Sequence, residues 1–163
     1  MSESSPELRL AFTDAFRRRG DSVSVVTYLD NHGHPGGMTA TSITSVSADP
    51  PMLLVCVNRS AATHAILEMR GEFGVAFLAE GQDDMSNVFA KPGEKDFPEG
   101  TIVDPESLTP RIDGAAAHLR CVVVDSHEHG THTVFVARVV AAESDEEKRP
   151  LLYHDGHYHS LSD

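Results

Sequence analysis

Two runs rich in β-branched residues, AAHLRCVVVDS (116–126) and THTVFVARVVAA (131–142), are separated only by His127-Glu128-His129-Gly130. So short a link between two long strand-like segments permits an antiparallel hairpin and excludes a parallel crossover, which needs a dozen or more residues. The same grammar recurs along the chain. SVSVVTYL (22–29) is β-branched and partly alternating, and Asp30-Asn31-His32-Gly33 closes it as a turn. GMTATSITSVS (37–47) reads as a strand ending at Ala48-Asp49-Pro50-Pro51. PMLLVCVN (51–58) is a continuous apolar run of buried-strand length, and EFGVAFLA (72–79) and LLYH (151–154) follow the same pattern.

Helical spacing is confined to the connections. Leu8, Ala11, Phe12, Ala15 and Phe16 form one face of a segment opened by Pro6, with Arg17, Arg18 and Arg19 at its C-terminal end and Gly20 available as a cap. SAATHAILEMR (60–70) places Ala62, Ala65, Ile66 and Met69 on one face and stops at Gly71. Residues 82–90 form a third short helix, residues 1–5 are expected to be disordered, and 91–114 is expected as a long Pro-rich loop. About six strands joined mostly by turns, with two or three helices, do not alternate as βαβ units. They predict a mainly β fold with peripheral helices, an antiparallel barrel closed or nearly closed, built as one domain over 1–163.

The chain has 13 Lys+Arg against 25 Asp+Glu, a net charge of −12 with histidine neutral. That surface repels nucleic acid and anionic lipid, so neither is expected as a partner. No apolar run reaches the roughly 20 residues needed to cross a bilayer, and MSESSPELRL lacks the basic start and apolar core of a signal peptide. Cys56 and Cys121 both sit in apolar runs, which suits reduced thiols in the cytoplasm. Glycine-rich nucleotide motifs (G-x-G-x-x-G, G-x-x-x-x-G-K-[ST]), C-x-x-C, H-E-x-x-H and the nucleophile elbow G-x-S-x-G are all absent.

In so acidic a chain, a phosphate ligand requires local donors. Asn58-Arg59-Ser60 supplies them at the start of a predicted helix, where free N–H groups and the helix dipole favour an anion and Arg59 adds a fork of donors. Ser60 is a candidate helix cap or ligand contact. The preceding strand is dense in hydroxyls: Thr39, Thr41, Ser42, Thr44, Ser45 and Ser47, with Thr27 upstream. Continuous alternation would put Thr39 and Thr41 on one face and Ser42 and Thr44 on the other. Taken together, the two segments point to a phosphate-bearing ligand.

The run GMTATSITSVSADPPMLLVCVNRS (37–60) resembles the signature of the flavin reductase-like family, the FMN-binding split barrels. SVSVVTYL resembles that family's first barrel strand, and NVFAKPGEKDFPEG (87–100) its phenylalanine-containing loop. Gly130-Thr131-His132 resembles its G-D-H motif, with Thr131 in place of the Asp, and PLLYHDGHYHSL its closing strand. Another departure is Phe16-Arg17-Arg18-Arg19-Gly20-Asp21-Ser22-Val23, where the family has F-A-T-G-V leading into the first strand.

The resemblance implies a split barrel and a homodimer that buries an apolar sheet face, with Val134, Val136 and Val139 as candidate contacts. It implies FMN or FAD, with NADH or NADPH as co-substrate, and a flavin-dependent monooxygenase that receives reduced flavin. By motif, Thr39, Ala40, Thr41 and Ser42 would line the flavin ring, and Ser45 and Ser47 the ribityl side. Cys56, Val57, Asn58, Arg59, Ser60 and Thr63 would hold the ribityl and phosphate end, and Phe89 and Ala90 would close one wall. His132, Tyr153 and Tyr158 would meet the nicotinamide nucleotide. No acid–base residue is implied, because stacked cofactors carry the hydride. Two further readings remain open: a flavin-binding protein without reductase turnover, and a metal protein using some of the ten histidines, of which His127 and His129 would share a strand face. A solvated hairpin tip is the simpler account of that cluster, and His64 is expected at the surface or in a dimer contact.

Overall fold

The computed structural model describes residues 4–91, 93, 101–103 and 109–162. Helix α1 (Pro6–Arg17) leads into β1 (Asp21–Ser22), β2 (Ser24–Leu29), β3 (Pro35–Ala40), β4 (Ile43–Ala48) and β5 (Pro51–Asn58). Helix α2 (Ala62–Arg70), β6 (Glu72–Phe77) and α3 (Asp83–Ala90) follow. The chain then forms β7 (Thr101–Val103), β8 (Pro110–Ile112), the long pair β9 (Ala117–His129) and β10 (His132–Ser144), and finally β11 (Leu152–His154) and β12 (His157–His159).

Seven antiparallel strands form one sheet in the order β3-β2-β6-β9-β10-β5-β4. Laid flat, its two edge strands would lie roughly 29 Å apart at ordinary strand spacing. Those edges are β3 and β4, and only Thr41 and Ser42 join them. Three Cα steps reach about 11 Å at most. The sheet therefore rolls until its edges approach at that end, which is a split barrel with the Thr41-Ser42 link across the seam.

This seam corrects the single strand expected over 37–47. The chain changes sheet edge at Thr41-Ser42, so the alternation of hydroxyls does not run through the link. The strand expected over 22–29 also divides, at Val23, because Ser22 pairs with Leu152 of β11 while Ser24 pairs in the barrel with Ala40 and Phe77. The expected hairpin is present. Its strands continue through His127 and Glu128, leaving Gly130-Thr131 as the turn, with Gly130 in the left-handed region at φ 60°. The β7–β8 pair lies within the stretch expected as loop. The rest of that stretch, at 92, 94–100 and 104–108, and residues 1–3 fall outside the described residues.

Alternation sorts the apolar residues onto two cores. Val26, Leu53, Val55, Val57, Phe73, Val75, Cys121, Phe135 and Ala137 fill one, with Leu67 of α2 packed among them. Their neighbours Val25 and Ala76 face a second, with Val23, Leu78, Phe89, Ile112 and Leu151. A fully buried side chain such as Leu67 contributes about 1.5–3 kcal/mol. Cys56 and Cys121 are both free thiols, and burial pushes that of Cys121 up to about 12.

Helix α1 begins where Ser5 Oγ accepts the Leu8 N–H at 3.2 Å. It ends at Arg17 with a right-handed Arg18 cap, two residues before Gly20, the expected cap. None of its residues is buried: Leu8, Leu10, Phe12 and Phe16 are 55–65% exposed. Among the described residues no helix is long and apolar enough to cross a membrane.

Candidate functional site

The β5–β10 register sets the end of one motif beside the start of another, because Asn58 pairs with His132. Beyond Asn58 the chain turns into α2. Asn58 Oδ1 accepts from both the Ser60 N–H and the Ser60 hydroxyl at 2.9 Å, and Asn58 O accepts from the Ala61 N–H. The N-cap is Ala61, which has no side-chain bond to offer, so Ser60 shapes the approaching turn and does not cap the helix. The Ala62 and Thr63 N–H groups have no acceptor among the described residues. They and the α2 dipole form an anion-attracting terminus. At the other end Gly71 caps α2 in the left-handed region, as expected.

Arg59 reaches the tip of the β9–β10 hairpin. Its Nη1 lies 2.6 Å from Glu128 Oε2, its Nη2 donates to Gly130 O at 3.0 Å, and its backbone N–H donates to Thr131 O at 3.0 Å. Behind it, His64 differs from the surface position expected. It is buried, with Nε2 2.7 Å from Thr133 Oγ1, its ring edge-on to Phe135 and Nδ1 3.6 Å from Glu68. It therefore ties α2 to β10. His132 is exposed, and its Nδ1 lies 2.9 Å from Thr131 Oγ1. Thr131 thus supplies the ring with a polar neighbour.

At the seam, Thr41 and Ser42 are exposed, Ala40 is buried, and Ser42 Oγ donates to Cys56 O at 2.9 Å. Cys56 is half-buried, while Val57 points into the barrel core. Thr39 donates to Ser86 O of α3 at 2.6 Å. Ser45 and Ser47 lead away from Arg59 along β4. Ser47 pairs with Met52, about 20 Å down the strand from Asn58, and its hydroxyl accepts the Asp49 N–H. These two serines, expected along the ribityl side, thus lie on β4 at a distance from the turn that carries Arg59.

Phe89, expected as a pocket wall, is 1% exposed and anchors α3 in the second core, whereas Ala90 is exposed. Gly37 admits this packing: a Cβ there would lie 2.9 Å from the Phe89 ring and 2.8 Å from Val26 O. Gly37→Ala is expected to cost about 1–3 kcal/mol by overpacking, read from chemical denaturation. Unchanged stability would show that β3 and α3 both shift freely. Tyr158 donates through its hydroxyl to Ser86 Oγ or Asn87 Oδ1, at 2.9 and 3.0 Å, and Tyr153, 38% exposed, meets it edge-on at 5.3 Å. Ser86, Asn87 and Glu128 are the site neighbours that sequence reasoning missed, since no motif or local spacing links them to their partners.

Among the described residues no three His, Cys, Asp or Glu side chains converge as a metal set, and His127 pairs with Asp125 at 2.9 Å. A cleft of about 160 Å³ lies elsewhere, lined by Val75, Arg111, His118, Arg120 and Glu143. Its charges close on one another, with Arg111 on Glu143 and Arg120 on Glu72. Burial, and then the Arg111 charge, lower the His118 pKa.

Residues 16–162 match the family described as the flavin reductase like domain. The chain is 34% identical over 161 residues to an FMN reductase (NADH) RutF of Stutzerimonas stutzeri, covering 98% of this chain and 92% of that protein. It is 38% identical over 136 residues to the reductase component of a 4-nitrophenol 4-monooxygenase/4-nitrocatechol 2-monooxygenase of Rhodococcus opacus, covering 83% and 72%. Among solved structures, the NADH:FAD oxidoreductase of Streptomyces globisporus in complex with NAD and FAD fragments superposes with a TM-score of 0.89. It is 32% identical, with 99% of this chain and 98% of that one covered.

Proposed function

The chain belongs to the flavin reductase-like domain family, and we propose that it is an NAD(P)H-dependent flavin reductase that supplies reduced FMN or FAD to a partner monooxygenase. One observation carries the reading to this chain's own residues. The β5–β10 register joins Asn58 and Arg59, at the start of α2, to His132, so donors for a phosphate and a group for the second nucleotide share one rim.

The residues fit a flavin phosphate: the Ala62 and Thr63 N–H groups and the Arg59 fork are donors, and they stand at a helix N-terminus. The exposed Thr41 and Ser42 hydroxyls at the seam, with Thr39 and Ala40, would line the ring. Bound flavin supplies the hydride acceptor for the nicotinamide, and the protein's contribution is orientation. Thr131 holds the His132 imidazole at the rim, and Tyr158, fixed by Ser86 and Asn87, positions Tyr153 as an exposed aromatic face for the nicotinamide nucleotide.

Steady-state NADH and NADPH oxidation with added FMN or FAD tests the reading. Flavin binding without turnover would favour the alternative of a flavin-binding protein. His132→Ala is expected to raise the KM for NAD(P)H or slow flavin reduction while leaving flavin affinity nearly unchanged. Stopped-flow reduction at several NADH concentrations separates the two effects. Wild-type values for both would remove His132 from the site.

We also infer a cytoplasmic homodimer. Met52, Leu54 and Cys56 of β5 and Val134 and Val136 of β10 are half-buried on the face opposite the core, and α1 leaves Leu8, Phe12 and Phe16 uncovered. A second copy is the cover this reading supplies for these apolar surfaces. Sedimentation equilibrium at micromolar concentration is expected to give twice the chain mass, and a monomer would overturn the assignment.

A further inference from the structure

We propose that Glu128 sets the affinity for phosphorylated flavin by holding Arg59 in the free protein, as an internal anion that a flavin phosphate must displace or oppose. The proposal rests on the reading of Arg59 as the phosphate contact. Both terminal nitrogens of the guanidinium are already engaged, Nη1 by the Glu128 carboxylate at 2.6 Å and Nη2 by Gly130 O at 3.0 Å. Both contacts lie on the tip of the β9–β10 hairpin.

Two physical effects then act in the same direction. A phosphate that recruits the Nη1–Nη2 edge breaks the Glu128 pair. A phosphate that takes the remaining edge, through Nε, leaves that pair in place and must share the single Arg59 charge with the nearby Glu128 carboxylate, in a chain of net charge −12. Either way Glu128 weakens the bound state of a phosphate ester and leaves a phosphate-free flavin nearly untouched. For an enzyme that must hand its flavin to a partner, this favours release. Glu128 acts through Arg59, so it is a positioning and specificity residue and touches no reacting atom.

Glu128 is 62% exposed, and the pair it forms is a surface ion pair, so a modest effect is expected. Glu128→Gln retains an oxygen acceptor for Arg59 and removes the charge. Dissociation constants for FMN and riboflavin, measured by fluorescence quenching at low and high salt, provide the test. Wild type, E128Q, R59A and the double variant are compared, with circular dichroism as the folding control. FMN is expected to bind E128Q about two- to fivefold more tightly, riboflavin to be unchanged, and the FMN gain to shrink at high salt and in the R59A background. Unchanged or weaker FMN binding by E128Q, with R59A still selective against FMN, overturns the role of Glu128 and leaves the phosphate reading intact. Equal losses of FMN and riboflavin in R59A overturn the phosphate reading itself.

Discussion

Phe135→Ala is expected to destabilise the protein by about 3–5 kcal/mol, a large share of the roughly 5–15 kcal/mol that holds a domain folded. Phe135 is completely buried in the first part of β10, between Val55 of β5 and Ser126 of β9, with the His64 ring edge-on at 5.4 Å. Strands joined by backbone hydrogen bonds on both sides cannot close in on the space a phenyl ring leaves, so both the transfer and the cavity contributions are felt. Thermal and urea unfolding should agree, with a fall in Tm of roughly 10 °C or more for a chain of this length. Phe135→Leu should recover much of the loss. A cost below about 1 kcal/mol for the alanine variant would mean that the barrel interior repacks.

Arg59→Ala is expected to weaken FMN binding roughly 10- to 100-fold, the equivalent of a charge-assisted hydrogen bond of about 1.5–3 kcal/mol, and to leave riboflavin binding nearly unchanged. Folding should hardly respond, because the Arg59–Glu128 pair lies at the surface and such pairs contribute little. The contrast between the two flavins is what locates Arg59 at the phosphate. Isothermal titration with both ligands gives the comparison, and a common loss for the two would place the side chain elsewhere on the flavin or remove it from the site.

The hairpin at 116–142 and the strand at 51–58 were legible because their side chains alternate or run apolar between unambiguous turns, and local periodicity needs no partner to be read. Asn58-Arg59-Ser60 was legible as a helix approach because turn chemistry acts over a few residues, although Ser60 proved to serve the turn and Ala61 the cap. The burial of Phe89 and of His64 was not legible, for one shared reason. A lone aromatic or imidazole on a short helix carries no sign of what lies opposite, and here Gly37 and Thr133 came from strands distant in sequence.

By itself, then, the sequence determined the antiparallel β class, the segments that become strands, the acidic surface and the short stretches whose donors can meet a phosphate. Tertiary structure decided which strands are neighbours. It put β3 and β4 on opposite edges of a rolled sheet, set Asn58 across from His132, and gave Arg59 to Glu128. The division follows from range. Propensity, alternation and capping are energies of residues a few positions apart, whereas strand order, seam and ion pairing depend on distances that exist only once the sheet has closed on itself.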